Sequence, residues 1–174
     1  MNEYKGSLDA SDKRFAIVAA RFNEAFVRNL IDGAVDCLER LGAGEDAVDL
    51  YWVPGAFELP MAVRGVAMTG QYDAIIPLGV VIRGATSHYD VVVNESTKGI
   101  ADASRQTGVP VVLGIVTVDT QEQATERCGS KMGNKGWDAA MSAVEMANLS
   151  DAFDAGEQPG GSADRGRSKK APRG

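Results

Sequence analysis

The stretch DAIIPLGVVIRGATSHYD, residues 73–90, decides the fold of this chain. Its first part, up to residue 82, is a dense apolar run, which is typical of a strand buried on both faces of a sheet. Pro77 and Gly79 inside that strand favour a twist or a close backbone approach. A glycine-containing turn follows, and the stretch then enters a segment that we predict to be helical over residues 87–107.

The same alternation of dense apolar runs and helical periods extends in both directions from this stretch. Val91-Val92-Val93 favours a strand locally, but the apolar positions of residues 87–107 share one helical face, so the helix is preferred. The predicted strands are 14–20, 47–53, 73–82 and 109–118, and the predicted helices are 26–41, 57–68, 87–107, 121–128 and 135–150. This pattern predicts an α/β fold, a flavodoxin-like three-layer α/β/α arrangement with a four-stranded parallel sheet. Ligands of such folds bind at the carboxyl ends of the strands.

The chain divides into three parts by composition. Residues 1–12 form an N-terminal segment, residues 13–154 form one folded domain, and residues 155–174 form a tail rich in Gly, Pro and Ser. The tail carries two acidic and five basic residues and too little apolar surface to fold, so we predict that it is disordered. A solvated tail is a simpler interpretation than a contact with an acidic partner.

Composition excludes several classes of protein. The content of 44% hydrophobic and 24% charged residues is that of an ordinary soluble domain, and the net charge of −6 argues against a nucleic-acid surface. The N-terminus shows no apolar signal-peptide core, and AIIPLGVVI is too short to cross a membrane. We therefore expect a cytoplasmic protein with no membrane or nucleic-acid partner. Cys37 and Cys128 do not have the spacing of metal ligands, and we predict that both are buried apolar side chains.

Three common phosphate or phosphorylation motifs do not fit the sequence. GSKMGNKG, residues 129–136, lacks the spacing of a Walker loop and follows a helical segment where that motif needs a strand. No G-x-G-x-x-G motif follows the first strand, which ends in AARFNE. A response regulator needs acidic residues after the first and third strands, but Arg21-Phe22-Asn23 and Arg83-Gly84 occupy those places.

The turn at residues 84–87 is the first candidate site. Ser87 with Asp90 three residues later resembles a capping box, and the amides of a helix N-terminus bind anions. The ordinary alternative is a plain connection between strand and helix. His88 is the only histidine of the chain, and a lone histidine is more often structural than catalytic.

Several separated motifs resemble one known family. ARFNE, PGAFELP, LGVVIRGATSHYD, NESTKGI and ERCGSKMGNKGWDAAMSAVEMANL occur in the order and spacing of the 6,7-dimethyl-8-ribityllumazine synthase family. The resemblance covers about residues 13–150 and does not include the tail. It implies an enzyme that condenses 5-amino-6-(D-ribitylamino)uracil with 3,4-dihydroxy-2-butanone 4-phosphate, releasing phosphate and water. This is the penultimate step of riboflavin synthesis, and the resemblance implies no metal and no organic cofactor.

The resemblance also implies substrate-binding residues by matching positions. The positions implied to hold the pyrimidine and its ribityl chain are Phe22, Ala56, Phe57, Glu58, Val80, Val81, Ile82, Leu113 and Lys135. The positions implied to hold the phosphate end of the butanone are Ala85, Thr86 and Arg127. Leu113 and Arg127 would come from a neighbouring subunit, and an aromatic residue can stand at the position of Leu113 in relatives.

The resemblance makes His88 the proton-transfer residue of the condensation. Imine formation, phosphate elimination and ring closure each move protons, and an imidazole can give and take them near neutral pH. The helix N-terminus favours neutral imidazole while bound phosphate favours the cation, so the protonation state stays open.

The resemblance further implies a cyclic pentamer and, with no insertion in GSKMGNKG, a 60-subunit shell. The resemblance also allows riboflavin synthase as a further partner. Two rival interpretations remain: a flavin-binding or shell-forming relative without the chemistry, and an unrelated flavodoxin-like module.

Overall fold

A computed structural model describes residues 1–154 of the chain. Four parallel strands form the main sheet in the order β2-β1-β3-β4, with bounds β1 Phe15–Ala20, β2 Val48–Val53, β3 Ala74–Ile82 and β4 Gly114–Val118. Five helices connect and follow them: α1 Glu24–Arg40, α2 Leu59–Met68, α3 His88–Thr107, α4 Gln121–Arg127 and α5 Lys135–Asp154. The predicted α/β fold with a four-stranded parallel sheet is confirmed.

Helices cover both faces of the sheet, which explains why its central strands are apolar without alternation. Every residue of β1 is buried, and alternate side chains enter two separate cores. Phe15 and Ile17 join the core formed with α1, α4 and α5, whereas Ala16 and Val18 join the core formed with α2 and α3. No helix within residues 1–154 is long and apolar enough to span a membrane.

The strand predicted over residues 109–118 is shorter than expected. β4 begins at Gly114, and the preceding residues touch β3 only through a bridge between Ile75 and Val111. Pro110 cannot donate a backbone hydrogen bond, which limits regular pairing before this point. Gly114 itself is required by the approach to β3, because a Cβ there would lie 2.5 Å from the carbonyl oxygen of Pro77.

Between α4 and α5 the chain forms a small hairpin that the sequence did not predict. Its two antiparallel strands are β5 Cys128–Ser130 and β6 Gly133–Asn134. Gly129 and Gly133 have φ angles of 104° and 78°, which only glycine adopts readily. Asn134 then accepts a hydrogen bond from the Gly136 amide at 2.8 Å, so it caps the start of α5.

The N-terminal segment lies along the outer surface of α5. The side-chain amide of Asn148 donates to the carbonyl oxygens of Ser7 and Asp9 at 3.0 and 2.9 Å. Gly6 passes so close to the helix that a Cβ there would lie 1.8 Å from the Glu145 carbonyl oxygen. The basic tail predicted for residues 155–174 lies outside the described residues.

A crevice opens at the carboxyl edge because the strands end at different heights. The pairing of β1 with β3 ends at Ala19 and Leu78, whereas the pairing of β3 with β4 continues to Ile82 and Val118. The connection after β1 leads to β2 on one side, and the connection after β2 crosses to β3 on the other side. Such a switch point is where ligands enter open parallel sheets.

Candidate active site

A cavity of about 740 Å³ lies at the carboxyl ends of β1 and β3. Segments that follow β1, β2 and β3 form its walls, together with the first turn of α3. The lining residues are Phe22, Asn23, Pro54, Gly55, Ala56, Phe57, Glu58, Val80, Val81, Ile82, Gly84, Thr86, His88, Tyr89, Val91 and Val92. Its size and its few polar groups on apolar walls are those of a small-molecule site.

Phe22 presents an exposed aromatic ring on a fixed backbone. Its amide donates to the Pro54 carbonyl oxygen at 3.1 Å, so the segment after β1 stays beside the segment after β2. Phe22 is 72% exposed, which is unusual for a phenylalanine and leaves its ring accessible to a ligand. The position predicted to stack on a heterocycle is thus open at the cavity.

Asn23 fixes the corner between β1 and α1. Its φ of 61° is the left-handed conformation that asparagine tolerates better than most residues. From this position its side-chain amide donates to the Val80 carbonyl oxygen at 2.8 Å. The bond joins the end of β1 to the projecting end of β3 across the cavity floor.

The segment from Pro54 to Glu58 forms the second wall. Ala56–Glu58 is a single 3-10 turn that precedes α2, and Phe57 is 56% exposed within it. A Cβ on Gly55 would lie 3.1 Å from Oε2 of Glu58, so glycine leaves room for that carboxylate. The wall therefore combines an exposed ring with an exposed acceptor of hydroxyl hydrogen bonds.

Val80, Val81 and Ile82, predicted to contact the pyrimidine, line the cavity at the end of β3. They extend beyond the end of β1, so the backbone edge that faces β1 is not paired with a strand at this height. The Val80 carbonyl oxygen accepts a hydrogen bond from the side-chain amide of Asn23 and has a second lone pair that could accept another. An unpaired strand edge offers both donors and acceptors to the edge of a flat heterocycle.

His88 is the first residue of α3 and faces the cavity. Its backbone amide donates to Oγ1 of Thr86 at 3.4 Å. Within residues 1–154 its imidazole has no hydrogen-bond partner, and the residue is exposed. The ring is consequently available to a bound molecule rather than held by the protein.

The capping box predicted at Ser87 and Asp90 is wrong. Ser87 has the helical angles φ −67° and ψ −3°, and its side chain caps no amide in the described part of the chain. Asp90 is instead bonded to Arg83, whose Nη2 and Nη1 lie 3.1 and 3.3 Å from its two carboxylate oxygens. A charge-assisted hydrogen bond to Arg83 is stronger than a neutral bond to a backbone amide, so the Asp90 carboxylate pairs with Arg83 instead of joining a capping box.

Four predicted residues do not line the cavity of their own chain. Ala85 belongs to the turn of residues 84–87 but does not line the cavity, while Leu113 directly precedes β4 and is 60% exposed. Arg127 ends α4 and Lys135 begins α5, and both helices pack on the opposite face of the sheet from α2 and α3. Among the described residues the cavity walls contain no lysine and no arginine.

Sequence reasoning missed part of the wall. Asn23, Pro54, Gly55, Gly84, Tyr89, Val91 and Val92 were not predicted to belong to the site. Asn23 and Gly84 follow predicted strands directly, so their position at the carboxyl edge was a usable signal. Tyr89 and Val92 were assigned to the apolar face of a helix and Val91 was not, and the structure shows that all three line the cavity.

No three or more His, Cys, Asp or Glu side chains gather into a metal-binding group anywhere in residues 1–154. Cys37 and Cys128 are both buried free thiols, as predicted. Burial raises the pKa of Cys128 to about 11, so its thiolate is scarce at neutral pH.

Comparison with known proteins finds one matching family and several similar proteins. A profile of the family described as 6,7-dimethyl-8-ribityllumazine synthase matches residues 12–151. The chain is similar to proteins of that name from Chlorobium luteolum, at 53% identity over 86% of this chain and 96% of that protein, and from Prosthecochloris aestuarii, at 54% identity over 83% and 94%. The protein of the same name from Clostridium kluyveri is 52% identical over 86% of this chain and 97% of its own length.

Proposed function

The chain belongs to the 6,7-dimethyl-8-ribityllumazine synthase family, and we propose that the cavity between β1 and β3 is the site of its reaction. The enzyme condenses 5-amino-6-(D-ribitylamino)uracil with 3,4-dihydroxy-2-butanone 4-phosphate to 6,7-dimethyl-8-ribityllumazine in riboflavin biosynthesis. One observation carries the proposal: His88, Thr86 and the exposed Phe22 ring face a single cavity at the switch point of the sheet. The cytoplasmic location remains a prediction from the sequence.

The pyrimidine binds over the floor of the cavity. Its ring stacks on Phe22, and the backbone of Val80, Val81 and Ile82 supplies hydrogen bonds to its edge. Stacking on an aromatic ring contributes about 0.5–1.5 kcal/mol beyond the area buried. The ribityl chain extends along Ala56, Phe57 and Glu58, where the carboxylate accepts hydrogen bonds from the hydroxyl groups.

The butanone phosphate binds at the turn formed by residues 84–87. The turn precedes the 20-residue helix α3, whose N-terminal amides and dipole favour an anion. Ala85 contributes through its backbone and Thr86 through its position in the cavity wall. The carbon skeleton then lies between this turn and the pyrimidine, which brings the ketone next to the 5-amino group.

His88 transfers protons between the two substrates. The amine attacks the ketone, water leaves as the imine forms, and elimination of phosphate passes through an enol that must lose and regain protons. Ring closure releases a second water molecule. An exposed imidazole beside the phosphate turn can serve each of these transfers, and such groups contribute about 10²–10⁴-fold.

The site is completed by a second copy of the chain. The cavity walls of residues 1–154 lack a lysine or arginine, although a phosphate dianion needs one when it leaves water. Arg127, on the far side of the sheet, supplies this charge to the neighbouring subunit, and Leu113 packs against the neighbour's pyrimidine. Lys135 contacts the pyrimidine in the same way.

A ring of five subunits satisfies this arrangement, because each subunit then gives and receives one set of residues. Assembly of twelve such rings into a 60-subunit shell is the larger form that we propose, and riboflavin synthase is the partner that its interior would suit. A flavin-binding relative without chemistry is the second candidate, and exposed Phe22 is the observation that favours it.

The experiment mixes purified protein with both substrates and follows the absorbance and fluorescence of the lumazine product. Acceleration over the spontaneous condensation is expected, and it should weaken when His88 is replaced. Tight flavin binding without acceleration would favour the second candidate instead.

A further inference from the structure

Arg83 stands at the junction of three segments around the phosphate turn. It follows β3 directly, and its amide donates to the Val118 carbonyl oxygen at 2.9 Å, which continues the pairing with β4. Its Nε donates to Oδ1 of Asp119 at 3.0 Å, and its two terminal nitrogens hold both oxygens of Asp90. One planar fork thus connects the end of β3, the segment after β4 and the first turn of α3.

An aromatic ring fixes the plane of the same guanidinium. The central carbon of Arg83 lies 4.0 Å from the centre of the Tyr89 ring, and Tyr89 is the second residue of α3. Tyr89 also lines the cavity beside His88. Any rotation of the first turn of α3 would therefore break the stacking and the two bonds to Asp90 together.

The charges of this cluster determine what the turn can bind. Asp90 lies in the first turn of α3, close to the amides proposed to receive the phosphate. An unneutralised carboxylate at that place would repel a dianion. The hydrogen bonds that Arg83 donates to Asp90 and then to Asp119 raise the pKa of its guanidinium, which stays fully charged.

The cluster is too exposed to be explained by stability alone. The side chains of Arg83, Asp90 and Asp119 are 44%, 53% and 66% exposed, and ion pairs at such exposure contribute little to folding. A comparable group on α1 pairs Arg40 with Asp36 at 2.9 Å and places its guanidinium over Trp137 at 5.9 Å. Arg40 ends α1 at the opposite edge of the sheet and provides a matched control.

We propose that Arg83 is a positioning residue of the reaction. It holds the turn of residues 84–87 and the His88 backbone in one arrangement. Its positive charge, shared between Asp90 and Asp119, reduces the repulsion that the Asp90 carboxylate would exert on a phosphate at the turn. This inference rests on the proposed function, because it requires the butanone phosphate to bind at that turn.

The test compares four variants for the KM of each substrate, for kcat and for the unfolding midpoint. Arg83→Gln should raise the KM for butanone phosphate about three- to tenfold, with a smaller change for the pyrimidine. Arg83→Lys keeps the charge and should recover most of that loss. Adding Asp90→Asn to Arg83→Gln removes the unpaired carboxylate and should lower the KM again. Arg40→Gln should leave both KM values unchanged.

Three results would overturn the inference. The first is an unchanged KM for butanone phosphate in Arg83→Gln. The second is an equal rise in the KM of both substrates together with a large drop in the unfolding midpoint. The third is a KM for butanone phosphate that stays as high when Asp90→Asn is added to Arg83→Gln. Thr86→Ala separates this failure from failure of the proposed site. If Thr86→Ala raises the KM for butanone phosphate and Arg83→Gln does not, only the inference fails. If neither variant changes that KM, the phosphate does not bind at this turn.

Discussion

The two edges of the sheet differ in where their polar and aromatic side chains find partners. At the amino edge, Tyr72 donates to Asp49 at 2.7 Å and contacts the hydroxyl of Tyr51 at 2.6 Å, and Arg14 bonds the same carboxylate at 2.8 Å. At the carboxyl edge, the rings of Phe22 and Phe57 are 72% and 56% exposed. The imidazole of His88 has no hydrogen-bond partner among residues 1–154.

We interpret the difference as a division between an edge that stabilises the fold and the edge at which we propose that the substrates bind. Tyr72 is only 7% exposed, and burial, together with its bonds to Tyr51 and Asp49, raises the pKa of its hydroxyl. Groups that satisfy one another in this way stabilise the fold but offer nothing to a substrate. At the carboxyl edge the rings of Phe22 and Phe57 and the imidazole of His88 are exposed, although Asn23 and Arg83 are hydrogen-bonded there. Substitutions at the two edges should consequently have opposite effects on activity and stability.

The largest effect is expected at His88. His88→Ala should lower kcat about 100-fold, at the lower end of the range for proton-transfer groups, because proximity alone still advances the condensation. Initial rates at saturating substrate measure it, with the thermal midpoint as a check on folding. Turnover equal to the unaltered enzyme would show that the imidazole is a bystander and that the open edge serves binding only.

Arg127→Ala should have the second largest effect. The loss of a charge-assisted phosphate contact of about 1.5–3 kcal/mol should raise the KM for butanone phosphate by one to two decades. The KM for the pyrimidine should change much less. Arg105→Ala, which removes another exposed arginine bonded to a carboxylate, is the control. Equal changes in both KM values would mean that Arg127 orders the whole site.

Phe22→Ala should weaken binding of the pyrimidine substrate without lowering the stability of the fold. Loss of stacking predicts a rise in its KM of about two- to tenfold. The free energy of unfolding should stay within about 0.5 kcal/mol, since the ring is mostly exposed. Phe153→Ala, which removes a ring that is 67% exposed on α5, provides the control. A KM that does not change would mean that the pyrimidine stacks elsewhere.

Tyr72→Phe should show the reverse behaviour at the amino edge. Removal of the hydroxyl deletes its bonds to Asp49 and Tyr51 and should lower the free energy of unfolding by about 1 kcal/mol. Both KM values and kcat should remain unchanged. Denaturant unfolding together with steady-state kinetics would check this, with Tyr4→Phe as an exposed control. A variant that loses activity but not stability would remove the contrast between the edges.

The sequence predicted the parts of the molecule that depend on long apolar patterns. The strands, the five helices and the helical character of Val91-Val92-Val93 followed from periodicity, because two-sided burial leaves a strong signal. The start of β4 and the hairpin of β5 and β6 did not follow. Both depend on contacts with distant segments, such as the approach of Gly114 to Pro77.

The cavity was predictable only in part for a similar reason. Motifs and strand ends indicated Phe22, the Ala56–Glu58 turn, the end of β3 and His88, and all of these line the cavity. Asn23 needed its left-handed backbone to be seen before its bond to Val80 had meaning. The roles proposed for Leu113, Arg127 and Lys135 depend on a neighbouring subunit, so the fold of one chain does not bring these residues to the cavity.

The most direct test of the shared site mixes two defective subunits, one with His88→Ala and one with Arg127→Ala. In a ring assembled from both, about a quarter of the sites regain His88 from one subunit and Arg127 from its neighbour. At low butanone phosphate, rings formed by refolding the two variants together should turn over clearly faster than the same variants mixed after assembly. Equal rates would contradict the account, because both residues would then act within one chain.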